Sequence, residues 1–130
     1  SSNPFVANFI GMTNFIEGEV LNKDSIKVDN QQIAINSHGY KKGTKVIIAA
    51  RPECIQLAKK RGGNTFDGKV VDVEFLGSFL RVYLETSIMP NQRLIADKPM
   101  IDNLSESIAV GVKLNFTLLP NHLNVYECDN

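Results

Sequence analysis

Twice in this sequence the apolar residues of a strand-like run change parity across a proline, and few folds accommodate that. In KVIIAARPECIQL (residues 45–57), Val46, Ile48 and Ala50 hold even positions, whereas Ile55 and Leu57 beyond Pro52 hold odd ones. In KLNFTLLPNHLNV (residues 113–125), Leu114, Phe116 and Leu118 are even, while Leu123 and Val125 beyond Pro120 are odd. Side chains alternate strictly along a strand, so one continuous strand cannot exchange its buried side for its solvated one. Each proline therefore marks a turn or bulge: it fixes φ and lacks the N–H that a central ladder requires. Both stretches read as strand, sharp corner, strand.

The repetition is in register. Pro52 and Pro120 lie 68 residues apart, as do Gly43 and Gly111, which open the strands as Gly-x-Lys-Val and Gly-x-Lys-Leu. Upstream, Gly18-Glu19-Val20 is echoed by Gly68-Lys69-Val70 at an offset of 50, which implies an insertion of 18 residues in the second copy. Period-two alternation fills the intervening segments. FIEGEVL (15–21) alternates through Ile16, Gly18 and Val20; SIKV and QIAI place Ile26, Val28, Ile33 and Ile35 on one face across a DNQ hairpin. FDGKVVDVEF and SFLRVYLE flank Leu76-Gly77, QRLIAD is a shorter strand, and MIDNLSESIAV is ambiguous between loop and a helical turn. The expected architecture is all-β: two small OB-like barrel lobes from an internal duplication, about 14–60 and about 64–130, with KKRGGN (59–64) as the link. The terminal strand of one copy is expected to complete the sheet of the other, since corners of this kind let short strands bury their edges. NPFVANFIG (3–11) reads as a short helical stub, with Asn3 as cap, Pro4 at the first position and Gly11 at the end. Such a helix is marginal alone in water, so residues 1–13 read as the remnant of a larger unit.

Charge and side-chain inventory exclude several functions. Fourteen basic residues balance fourteen acidic ones, which is no footprint for a phosphate backbone. No apolar run is long enough to span a membrane, and no charged n-region followed by an apolar stretch opens the sequence, so no signal peptide is expected. Cys54 and Cys128 fit no metal or redox spacing and read as two free thiols of a reducing compartment. His38 and His122 lie in turns; a Cys54–His122 nucleophile pair at equivalent corners would lack any oxyanion-hole signature. No G-x-S-x-G occurs, and GYKKGTK lacks the ending of a phosphate loop. Asp72, Glu74 and Glu85 sit opposite apolar residues, as on an ordinary solvated strand face, and there is no calcium or zinc loop.

With these residues in view, the chain resembles the C-terminal transport-associated OB (TOBE) domain of ATP-binding subunits from ABC importers. The resemblance rests on FVANFIGMTN (5–14), Gly18 to Val20, the Arg51-Pro52-Glu53 strand end, and GKVVDVEFLG (68–77). It departs at Cys54, where relatives often carry an acidic residue. It implies a non-catalytic regulatory and dimerisation module of a binding-protein-dependent importer of the iron(III), polyamine, sulfate or sugar type. Walker A, Walker B and signature motifs are missing from the sequence; ATP and magnesium would bind in an ATPase domain outside it, and the fragment itself would need no cofactor. The implied partners are that ATPase domain, a second copy of the subunit and, indirectly, the membrane permease, all at the cytoplasmic face of the membrane.

The contact surface is read from the SFLRVYLE strand. Leu80, Val82 and Leu84 share one face, leaving Phe79, Arg81 and Tyr83 opposite, a composition typical of interface cores but also of a face covered by the insertion. Phe79, Arg81 and Tyr83, with Arg51 and Glu53 at the corner, are the interface candidates; Pro52, Pro120, Gly18, Gly68 and Gly77 are structural corners. Two rival readings stay open: a single-stranded nucleic-acid module stacking bases on Phe79 and Tyr83 beside the basic residues 59–61, and a lobe-interface sensor of a small oxyanion or metal.

Overall fold

The computed structural model describes residues 12–58, 62–100 and 108–128. The helical stub expected at 3–11 and the ambiguous stretch 101–107 lie outside the described residues. Among the described residues ten strands form: β1 (Asn14–Asn22), β2 (Ser25–Val28), β3 (Gln31–Ala34), β4 (Lys45–Ala50), β5 (Ile55–Ala58), β6 (Thr65–Phe75), β7 (Phe79–Glu85), β8 (Leu94–Pro99), β9 (Lys113–Leu118) and β10 (Leu123–Glu127).

Between β4 and β5, and again between β9 and β10, lies one 3₁₀ turn begun by the proline, at Pro52–Cys54 and Pro120–His122. The residue before each proline is extended (Arg51 φ −75°, ψ 149°; Leu119 φ −85°, ψ 121°), as the steric demand of the pyrrolidine ring requires. Cys54 and His122 donate their N–H groups to the carbonyls of Arg51 and Leu119, both at 2.9 Å. The turn consumes the odd residue count, and the apolar side flips as the parity demanded.

The corners send the chain from one sheet to another. The first antiparallel sheet has the order β10-β4-β1-β2-β3, and the second has the order β5-β9-β6-β7-β8. Thus β5, which follows β4 in sequence, pairs with β9, while β10, which follows β9, pairs with β4. Each half gives its last strand to the other. A single apolar cluster runs through both sheets, with Ile16, Ile48, Leu84 and Phe116 fully buried in it. Because the halves share strands, neither half-core is complete from its own segment alone.

The duplication extends to individual bonds. Gly18 stands opposite Val46 and Gly68 opposite Leu114. Val20 donates to Thr44 O at 2.9 Å and accepts from Gly43 N–H at 2.8 Å; Val70 donates to Val112 O at 2.9 Å and accepts from Gly111 N–H at 2.8 Å. Both β1 and β6 bulge immediately afterwards, between Val20 and Asn22 and between Val70 and Asp72. Gly43 and Gly111 reach these bonds at φ 86° and 95°, a region costly for other residues. β2 and β3 join through Asp29-Asn30 with both φ positive (48° and 65°), the two-residue turn whose twist suits a hairpin. β8 lies two residues further along than QRLIAD suggested, because its pairing with β7 runs to Phe79 opposite Pro99; proline is tolerated there because β8 is an edge.

Candidate interaction surface

On β7, Leu80, Val82 and Leu84 point into the core, and Phe79, Arg81 and Tyr83 stand half-buried on the outer face. Register decides what surrounds them: Glu74 of β6 and Asp97 of β8 lie opposite Arg81 on either side. The Arg81 guanidinium donates to both carboxylate oxygens of Asp97, at 2.9 and 3.1 Å, and its carbon lies 5.4 Å from the Phe79 ring centroid. The Tyr83 hydroxyl donates to Glu74. The bond to Asp97 raises the Arg81 pKa further, and the bond to Glu74 raises that of the Tyr83 phenol. The strip is therefore held in one geometry by its own sheet. A bidentate arginine stacked on an aromatic ring gives up little rotamer freedom on meeting a partner.

The strip continues past Gly77 (φ 83°) to the hairpin tip, where Phe75 is 74% exposed and Leu76 and Met100 are also exposed. At the other candidate position, Arg51 and Glu53 are exposed on the first corner, and that corner packs against β8. The corner residues and the strip thus border the same edge strand.

Two functional side chains of the scaffold were missed by sequence reasoning. Asn14, 1% exposed, donates Nδ2 to Ile95 O and accepts Ile95 N–H on Oδ1, both at 2.8 Å, so its amide acts as an extra strand residue against β8 of the opposite sheet. Asn64 does the same for β3: Oδ1 accepts Ala34 N–H and Nδ2 donates to Ala34 O, both at 2.8 Å, and Nδ2 also donates to Leu118 O at 2.9 Å. The signal was present, since the offset of 50 that relates Gly18 to Gly68 also relates Asn14 to Asn64.

His38 is held by bonds to the backbone, and both cysteines are free and half-buried. His38 accepts the Tyr40 N–H on Nδ1 and so carries its proton on Nε2, which bonds Asn22 O at 2.9 Å. Burial, with Glu53 nearby, pushes the Cys54 thiol up; burial with Glu17 nearby does the same to Cys128. That is opposite to the activation of a nucleophile. Among the described residues no group of three His, Cys, Asp or Glu side chains could hold a metal ion. Nor is any helix among them long and apolar enough to cross a membrane.

Two five-stranded sheets thus exchange their last strands, and one of them carries a fixed aromatic–arginine strip. The family model described as the TOBE domain matches residues 48–125, and the chain belongs to that family. Among curated proteins it is 27% identical, over 95% of its length, to the spermidine/putrescine import ATP-binding protein PotA of Clostridium acetobutylicum. It is 31% identical, over 72% of its length, to the Fe(3+) ions import ATP-binding protein FbpC 2 of Rhizobium meliloti. The chain spans 32% and 27% of those two relatives, roughly a third of the proteins it matches. Among solved structures it is similar to the cytoplasmic molybdate-binding protein ModG, with a TM-score of 0.72 at 13% identity, over 86% of this chain and 94% of that one. At that identity the likeness concerns the fold.

Proposed function

We propose that this chain is the non-catalytic regulatory and dimerisation region of the ATP-binding subunit of a binding-protein-dependent ABC importer. The observation that carries the reading is its TOBE-domain membership together with near-complete coverage by import ATP-binding proteins about three times as long. Its partners are an ATPase domain of the same subunit, which holds ATP and magnesium, a second copy of the subunit and, through these, the membrane permease. It works at the cytoplasmic face of the membrane. The Phe79–Arg81–Tyr83 strip, bordered by Arg51 and Glu53, is the surface that meets the second copy. The chemistry supports this: apolar rings and a fixed guanidinium, flanked by Glu74 and Asp97, present both charges to a like surface.

The test compares the full subunit that carries this chain with a version lacking it. The full subunit is expected to dimerise more strongly with ATP, measured by sedimentation, and the isolated chain to leave ATP unhydrolysed. ATP turnover by the isolated chain would refute the reading, as would saturable binding of a labelled oligonucleotide at low salt. Unchanged dimerisation after removal of the chain would do the same.

A further inference from the structure

The two halves differ most in what covers their corners. After the matching bulges, β1 and β2 close at once, with Asn22 opposite Ser25, 3 positions on; β6 and β7 run on from the pair Asp72–Tyr83, 11 positions apart, so their hairpin is 8 residues longer. The third strand lengthens with it. β3 ends at Ala34, the residue clamped by Asn64, whereas β8 continues beyond the clamped Ile95 to Pro99, opposite Phe79. The added residues, 73–75, 79–82 and 96–99, form a three-stranded flap. Leu80, Val82 and Ala96 are buried on its inner face, and its strand β8 packs against the first corner, where Pro52 is buried.

Among the described residues the second corner has no such cover. It is the same 3₁₀ turn, Pro120–His122, yet none of its residues is buried, because the first half carries no flap to lay over it. Leu119 and Pro120 are half-buried, and Asn121 and His122 are exposed. The flap, for its part, reaches beyond its own corner. Phe75 lies opposite Leu80 and so shares its inner face, yet it is 74% exposed, and Leu76 beside it is exposed too. Met100, also exposed, donates its N–H to Ser78 O at 3.1 Å and thereby sits against the turn. An apolar overhang thus stands without a corner, and a proline corner without a flap.

We infer that the overhang of Phe75, Leu76 and Met100 seats on the Leu119–Pro120 corner of a second copy, and that copy's overhang on this one. The first corner supplies the pattern, since the same flap already lies over the equivalent Pro52. Charges agree. Glu74 is the one charged residue among 73–79, while residues 119–124 carry no carboxylate and offer donors in the Asn121 amide and the His122 ring. One such contact is too small to hold by itself, because stable interfaces bury about 800 Å² on each partner. A two-fold axis doubles it, each copy giving one overhang and one corner, and closes the assembly at two. The Phe75 ring has the size and position of an anchor, aromatic side chains burying roughly 150–250 Å² each. The inference rests on the reading of a second copy as partner, and names the residues through which one copy recognises the other.

The test is disulfide trapping combined with sedimentation of the 130-residue protein, with Cys54→Ser and Cys128→Ser as background for the trapping. Leu76→Cys and Asn121→Cys together, oxidised with diamide, are expected to give covalent dimers at least about tenfold faster than either new cysteine alone, because the tip meets a corner and not another tip. Phe75→Asp, at an exposed position, is expected to weaken the dimer at least about tenfold in sedimentation with an unchanged circular dichroism spectrum, as loss of an aromatic anchor implies. Leu76→Asp provides the second variant. A bridge within one chain, open polymers in place of closed dimers, or trapping no faster in the double variant would overturn the inference, as would a dimer indifferent to both tip variants. Those results, with the parent still dimeric, would leave the second-copy reading standing. A parent that stays monomeric at millimolar concentration would overturn both.

Discussion

Replacing Asn64 by alanine removes the amide that ties β3 to the start of β6 and to β9. Three bonds of 2.8–2.9 Å are lost, one of them inside the barrel. At about 1 kcal/mol each, with the buried one at the upper end, they represent about 3–4 kcal/mol. Asn64 also sits at φ 60°, where asparagine is tolerated and alanine costs about 1 kcal/mol more. Asn64→Ala is therefore expected to lose about 4–5 kcal/mol, and Asn64→Gly, which keeps the φ, about 1 kcal/mol less. Against a typical total of about 5–15 kcal/mol this is severe, equivalent to a fall in Tm of roughly 15–20 °C for a chain of this size. Asn14→Ala loses two bonds without any positive φ, for about 2 kcal/mol. Guanidinium unfolding followed by far-UV circular dichroism gives all three values. A loss below about 1 kcal/mol for Asn64→Ala would put it with ordinary surface substitutions and refute the clamp.

Other outcomes follow from differences between the halves. A Cβ at Gly18 would meet Ile26 Cγ2 at 2.6 Å and Lys27 O at 3.1 Å, whereas at Gly68 nothing comes nearer than 3.4 Å. Gly18→Ala is expected to cost about 1–3 kcal/mol and Gly68→Ala far less, by the same unfolding assay; equal costs would contradict the packing. Lys45, by hydrogen bond and charge, holds the Glu19 carboxyl below its usual range, and Glu19 holds Lys45 above its own. Their mutual stabilisation is thus present above the ordinary carboxylate pKa and below the ordinary lysine pKa, and fades as pH falls through the Glu19 value or rises through that of Lys45. In Lys45→Met an NMR titration should show Glu19 protonating at higher pH than in the parent; an unchanged midpoint would contradict the pair. Arg81→Glu combined with Tyr83→Ala is expected to weaken self-association of the full subunit in sedimentation, and no change in a folded dimer would remove the strip from the contact surface.

The alternation of apolar residues and the parity reversal at Pro52 and Pro120 made the strand–corner–strand units legible, because strand geometry leaves no other way to bury both sides. That the terminal strand of one copy completes the sheet of the other was legible for the same reason, but the pairing of β5 with β9 and of β10 with β4 was not, because parity says nothing about which strand lies alongside. The Arg81–Asp97 pair was not, since it depends on the β7–β8 register, which is fixed only when Phe79 meets Pro99 at the far end. Asn14 and Asn64 were overlooked because asparagine before a strand reads as turn chemistry, and a side-chain amide acting in a backbone ladder has no local pattern.

Strand exchange is tested most directly by interstrand NOEs in the labelled protein. Contacts between Val125 and Ile48 and between Leu57 and Phe116 are expected, matching the β10–β4 and β5–β9 registers. Contacts that instead join Ile55–Ala58 to β4 and β10 to β9 would describe two self-contained halves, and would contradict the interlocked fold.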